Sequence, residues 1–302
     1  MKNSALNLSR RLATANRPKT LAALKDFRAL SDHERTELIE SWSRDLKRSD
    51  SLKSALAAVR ALGLVAPYEP SALSAWIDVL GHTSGDLVIE ADALMAFWDA
   101  DTRRRVIEVL GTELQCGERP GVLTALRAVR VLRPAPAGLM PSIVGVTRSK
   151  DERLAFEAVQ ALCHFGAPAR PFLQEISADP RIKIRIALAE GLPAFPKDDP
   201  IALELLGRLL ADAETRVRHA ALCKLQLVSS DGLRAVPALR QALAHGDADE
   251  IREAVFCVQE SGQSGKDVRD LLGQALNYED ESVRQRAVFA LERLGATHPD
   301  GK

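Results

Sequence analysis

Chemistry in this chain would have to come from four cysteines, six histidines and a set of regularly spaced arginines. Cys116, Cys163, Cys223 and Cys257 are widely scattered with no CxxC pair, so the spacing indicates neither a zinc site nor a disulfide scaffold. Cys163 and His164 are neighbours on a predicted helix and point in different directions, so no nucleophile–base dyad follows from them. No GxSxG, HExxH or Walker-type GxxxxGK stretch is present. Residue types therefore identify no catalytic residue, no metal ligand and no cofactor-binding set. What does recur is Arg185, Arg218, Arg252 and Arg284, each directly after a β-branched residue.

Those arginines belong to a longer pattern, clearest in DESVRQRAVFALERLG, residues 280–295. An acidic starter comes first, suited to accept from orphan N–H groups at a helix N-terminus. With Val283 as the reference position, apolar Ala287, Ala290, Leu291 and Leu294 follow at +4, +7, +8 and +11, which is one helical face. Gly295 suits a left-handed residue that ends a helix. Upstream counterparts of Val283 are Ile251, Val217, Ile184, Leu154, Val122, Leu87 and Leu52, at intervals of 30–35 residues. Eight phased copies cover most of the chain, and a partial ninth fits residues 5–31. Asp50, Asp86, Asp151, Asp179, Asp212, Asp247 and Asp280 precede the reference positions, and Gly63, Gly166, Gly262 and Gly295 close four copies. Pro141, Pro171 and Pro237 fall 13 or 14 residues before a reference position, where a preceding helix would start.

Each copy predicts a helix A, a short turn and a helix B. The A helices are expected near 5–15, 32–47, 70–81, 101–115, 138–148, 169–178, 200–211, 235–244 and 266–277. The B helices are expected near 19–30, 51–62, 86–97, 121–132, 152–165, 181–192, 214–227, 249–260 and 281–294. Two short Ala-rich helices cannot bury enough apolar surface alone, so such hairpins must stack into a continuous core. The expected fold is all-α, an α-α superhelix of about nine helical hairpins forming one array over 1–302. Its copies are weaker over 1–132 and clear over 138–295, with a tail at 296–302.

Composition agrees with this. Only 4% of the 302 residues are aromatic against 46% hydrophobic, which favours helices built on Ala, Leu, Val and Ile. Lys+Arg and Asp+Glu are both 41, so the chain lacks the basic excess of a dedicated duplex-DNA binder. Charge is unevenly spread: residues 1–150 carry 22 basic and 17 acidic side chains, and the first 28 hold seven Lys/Arg against the single Asp26. Arg10, Arg11, Arg17, Lys19 and Lys25 could meet an acidic protein, nucleic acid or a membrane surface, or could cap the array with a polar face. The same stretch, rich in Arg, Ser and Ala, also has the composition of an organelle transit peptide. No apolar run of membrane-spanning length and no secretory leader is visible, so a cytoplasmic location is expected.

The pattern D-x-x-V-R-x-x-A-x-x-A-L-x-x-L-G resembles the HEAT repeat, and the short Ala-rich bacterial variant related to phycobilin lyases in particular. DAETRVRHAALCKL (212–225) and AVPALRQAL (235–243) are similar to that variant's second and first helices. The resemblance implies a superhelix whose B helices line the concave surface. It also raises enzymatic alternatives. Deoxyhypusine hydroxylase, of similar fold, holds two irons with four His-Glu pairs; this chain has one such pair, His33–Glu34, early in an A helix. A phycobilin-lyase-like activity is implied by kinship of the repeat alone. Alkylpurine DNA glycosylases on HEAT-like repeats use aromatic, Asp and Arg side chains, for which Trp42, Trp76 and Trp98 are candidates, or else core residues.

The leading expectation is a scaffold or adaptor without a cofactor, binding a protein or peptide on the concave face; the alternative is a HEAT-fold enzyme or enzyme subunit. The residue two places after each reference position should be partly exposed on the B helices. Through the copies it reads Ser54, Ile89, Thr124, Phe156, Ile186, His219, Glu253 and Gln285. Phe156 and Ile186 would form an apolar strip beside Arg185, Arg218, Arg252 and Arg284. In the competing reading these arginines pair with aspartates of the adjacent repeat. Cys223 and Cys257, both six residues after a reference position and sharing that place with Phe289, are expected to be buried, inert thiols.

Overall fold

The computed structural model describes residues 17–48, 52–80, 89, 94, 98–132, 134–230, 234–263 and 265–297. Among these there is no strand. The helices are α1 (Arg17–Arg28), α2 (Asp32–Arg48), α3 (Leu52–Val65), α4 (Pro70–Leu80), α5 (Ala100–Cys116), α6 (Arg119–Val131), α7 (Met140–Thr147), α8 (Glu152–Cys163) and α9 (Arg170–Ile176). They continue as α10 (Ile182–Gly191), α11 (Pro200–Leu210), α12 (Thr215–Leu222), α13 (Leu225–Val228), α14 (Ala235–His245), α15 (Ala248–Ser261), α16 (Lys266–Leu276) and α17 (Glu281–Thr297). These are the expected hairpins, with most ends within three residues of the predicted ones. The helix expected over 5–15, the body of that over 86–97, and Asp50, Asp86 and Leu87 lie outside the described residues. No described helix is long and apolar enough to cross a membrane.

The chain divides into two compact units, Met1–Val146 and Thr147–Lys302. In the first, the core is built around aromatic pairs. Phe27 stacks on Trp42 with ring centroids 6.0 Å apart. Trp76 meets Trp98 at 4.4 Å, and the Trp98 indole N–H donates to the Gly63 carbonyl at 2.8 Å. Gly63 was expected to close a helix, but it lies inside α3. A Cβ there would stand 2.8 Å from Leu94 Cδ1 and 3.1 Å from Trp76 Nε1, so the residue is small to admit its neighbours. The register of this copy is also shifted by one. Leu52 is 48% exposed, whereas Ala55, Ala58, Val59 and Leu62 are buried. That set sits at +4, +7, +8 and +11 from position 51, not 52.

In the second unit the register is as expected. Ile184, Val217, Ile251 and Val283 are all fully buried, together with their +4 partners Leu188, Ala221, Val255 and Ala287. Aspartates start the B helices. Asp151 accepts from the N–H groups of Arg153 and Leu154, Asp247 from Glu250, and Asp280 from Ser282 and Val283. Gly166 and Gly262 take left-handed φ values of 64° and 65° after α8 and α15. Gly295 does not end its helix, because its backbone stays helical and the helix-forming Ala296 carries α17 on to Thr297. The helix expected over 214–227 is split into α12 and α13 at Cys223–Lys224. Downstream, Val228 gives its carbonyl to the Asp198 N–H (2.8 Å), and the Ser230 N–H donates to the Asp198 carboxylate (2.7 Å). These hydrogen bonds tie the end of α13 to the loop before α11.

The caps make stability acid-sensitive. Hydrogen bonds from Thr102 hold the Asp99 carboxyl below its usual range, and those from Ser282 and Val283 do the same for Asp280. At Asp179 burial pushes upward, but the hydrogen bonds and charge of Arg181 outweigh it. Folded values below the unfolded ones mean that the stabilisation is complete above the ordinary carboxylate pKa of about 3.9 and is lost as pH falls through the lower folded values. The melting temperature, followed by circular dichroism, is therefore expected to change little from neutrality down to about pH 5 and to drop below about pH 4. A rise in melting temperature on acidification below pH 4 would contradict this assignment.

Candidate functional site

The B helices of the second unit, α8, α10, α12, α15 and α17, follow one another as neighbours and approach more closely than the A helices do. This brings the expected row together on successive helices. Phe156, Ile186, His219 and Glu253 are each half-buried, and Gln285 is exposed, its amide donating to Glu281 at 2.9 Å. At the same position of the earlier copies Thr124 is half-buried, and Ser54 and Ile89 are exposed.

The arginines one residue earlier are held by the stack. Arg218 is almost fully buried and pairs with Glu250 of the next repeat through two contacts, Nε to Oε1 at 2.8 Å and Nη2 to Oε2 at 2.9 Å. It also donates to the carbonyls of Asp212 and Ala213 at the preceding corner and to the Thr215 hydroxyl. These contacts hold its guanidinium above its ordinary pKa, the Glu250 hydrogen bond contributing most. Arg185 repeats the arrangement, donating to both Asp212 carboxylate oxygens at 2.7 and 3.0 Å and to the Asp179 carbonyl at 2.6 Å. Arg252 reaches Ser282 of the next repeat and Asp249 of its own helix. Arg284 donates to the carbonyls of Tyr278 and Glu279. Arg185, Arg218 and Arg284 thus satisfy carbonyls of the corner behind them, and Arg185, Arg218 and Arg252 reach a polar group of the next repeat. The guanidiniums of Arg185 and Arg218 are largely enclosed by these contacts.

Cys223 departs from expectation. Cys257 is buried, with burial pushing its thiol up to about 12, but Cys223 is exposed. It caps the C-terminus of α12, its backbone still helical and its N–H donating to the His219 carbonyl at 3.0 Å. Partial desolvation and then the Glu253 carboxylate raise its thiol above the ordinary value. Phe289, at the same register, is 52% exposed as well, so that position is not a uniform core site. Cys223 Sγ lies 3.8 Å from His219 Nε2. With Glu253 from α15, it completes a group of three potential metal ligands whose ligating atoms all lie within 4.8 Å of one another. The sequence signal was present: His219 and Cys223 are four apart on one helix, and Glu253 holds in the next repeat the place that His219 holds in its own.

Other candidates are structural. Trp42, Trp76 and Trp98 are all buried, which leaves none of them as a surface for stacking a nucleobase. Glu34 belongs to a capping box, accepting from the Ser31 N–H at 2.9 Å and from its hydroxyl at 2.7 Å. His33 is exposed and faces Glu37.

A family profile for HEAT repeats matches residues 169–259. No curated protein matches the chain. Among solved structures, Kap121p aligns at 15% identity over 98% of this chain and 38% of its own, with a TM-score of 0.52. Kap121p bound to RanGTP aligns at 16% identity over 99% and 38%, with a TM-score of 0.54. Kap95p, in a structure with RanGDP, aligns at 14% identity over 96% and 43%, with a TM-score of 0.56. The chain thus spans about two fifths of the length of these structures, and the likeness is one of fold.

Proposed function

We propose that this HEAT-repeat chain is a non-catalytic scaffold or adaptor that binds a protein or peptide along the B-helix face of its second unit. The observation that carries the reading is the half-buried row Phe156, Ile186, His219 and Glu253 on adjacent helices, flanked by arginines already committed to the stack. A partner would find two apolar side chains at one end and polar ones at the other, on a rigid support. The closer approach of the B helices is the geometry of the inner layer of a curved stack, the side on which extended repeat proteins bind. The fold has this use elsewhere: Kap121p is solved bound to the SUMO protease Ulp1p, to Nup53p and to RanGTP.

The test uses the intact chain as bait beside a Phe156→Ala/Ile186→Ala variant. A captured protein should lose affinity by about tenfold or more, as expected when central apolar anchors are removed. Undiminished capture by the variant, with only its melting temperature lowered, would assign both residues to the core and defeat the proposal.

A further inference from the structure

We propose that His219, Cys223 and Glu253 form a site for one divalent transition-metal ion of the zinc class, with a fourth coordination position open to solvent. The three side chains come from two consecutive repeats. His219 lies in the last turn of α12 and Cys223, its C-cap, one turn further on, with the Cys223 N–H donating to the His219 carbonyl, and Glu253 projects from the neighbouring α15. One ligand atom of each lies within 4.8 Å of the other two, and Sγ to Nε2 is 3.8 Å. A tetrahedral ion with bonds of about 2.0–2.3 Å separates its ligand atoms by roughly 3.3–3.7 Å, so small side-chain rotations close the set around a metal.

Donor chemistry narrows the ion. A thiolate and an imidazole suit Zn(II), Co(II) or Ni(II), whereas Mg(II) and Ca(II) take oxygen ligands. Thiolate and carboxylate together balance the two positive charges. His219 and Glu253 are half-buried and Cys223 is exposed, so an ion has access and one coordination position faces outward. The geometry does not suit a Cys–His–Glu catalytic relay. A relay places the carboxylate on the ring nitrogen remote from sulfur, but here a Glu253 oxygen lies within 4.8 Å of the Cys223 sulfur. The site goes beyond the scaffold reading and does not depend on it.

The experiment titrates the purified, reduced, chelator-treated full chain with Co(II). One equivalent should give the near-ultraviolet thiolate-to-cobalt charge-transfer band and the intense visible bands of tetrahedral cobalt, both removed by added Zn(II). Cys223→Ser should abolish the charge-transfer band, while His219→Ala and Glu253→Gln should each weaken binding by at least about tenfold. Cys116→Ser, which removes the other exposed thiol, should change nothing. Circular dichroism of the metal-free variants should match the parent, since none of the three side chains is in the core. Only the weak absorption of octahedral cobalt, a band that survives Cys223→Ser, or binding indifferent to both His219→Ala and Glu253→Gln would each overturn the site.

Discussion

Arg218→Ala is expected to destabilise the second unit by about 3–5 kcal/mol, the usual cost of breaking a buried ion pair from one side. The guanidinium and the Glu250 carboxylate are both within a few per cent of complete burial. Removing the arginine leaves a carboxylate without its cation and the carbonyls of Asp212 and Ala213 without their shared donor. Replacing both partners in Arg218→Met/Glu250→Met should recover most of the loss, because hydrophobic residues of similar volume leave no orphan charge. Urea unfolding followed by circular dichroism measures both. A loss below about 1 kcal/mol for the single variant, in the range of an exposed pair, would show that the contact carries little.

Ile251→Ala should cost about 2–5 kcal/mol, because the side chain is fully enclosed at the point where α15 meets its neighbours. Leu52→Ala, nominally the same position of an earlier copy, should stay within about 0.5 kcal/mol, since Leu52 is largely exposed. The pair of variants reads the register directly. Equal losses would mean that the one-residue shift assigned to α3 is wrong.

Periodicity made the second unit legible. Four of its five reference positions are β-branched, Leu154 being the fifth, with Ala recurring at helical spacing, and burial of one face follows from that spacing alone. The first unit was harder to read. Its copies lack the arginine that marks the register, and Leu52 was a plausible but wrong anchor because apolar Leu56 and Val59 follow it at +4 and +7, although the charged Arg60 falls at +8. Glycines misled for a related reason. Gly262 caps its helix with positive φ and Gly166 takes one in the turn after α8, but Gly63 makes room for Leu94 and Trp76, and Gly295 lies within a helix. A letter in the sequence does not distinguish freedom of the backbone from closeness of a neighbour. The row from Phe156 to Gln285 was found by register. Cys223 was misread because it shares a register with the buried Cys257, whereas that register is not a uniform core site: Phe289 is exposed there too.

The contact between Arg218 and Glu250 also bears on how such a chain can grow or shrink. Its donor lies just after one reference position and its acceptor just before the next, and Arg185 with Asp212 has the same polarity. Between these two joints the hairpin is in effect a connector with a plug at one end and a socket at the other. Copy that period in tandem, and its arginine again meets a carboxylate, so gene duplication there could lengthen the row without redesigning the joint.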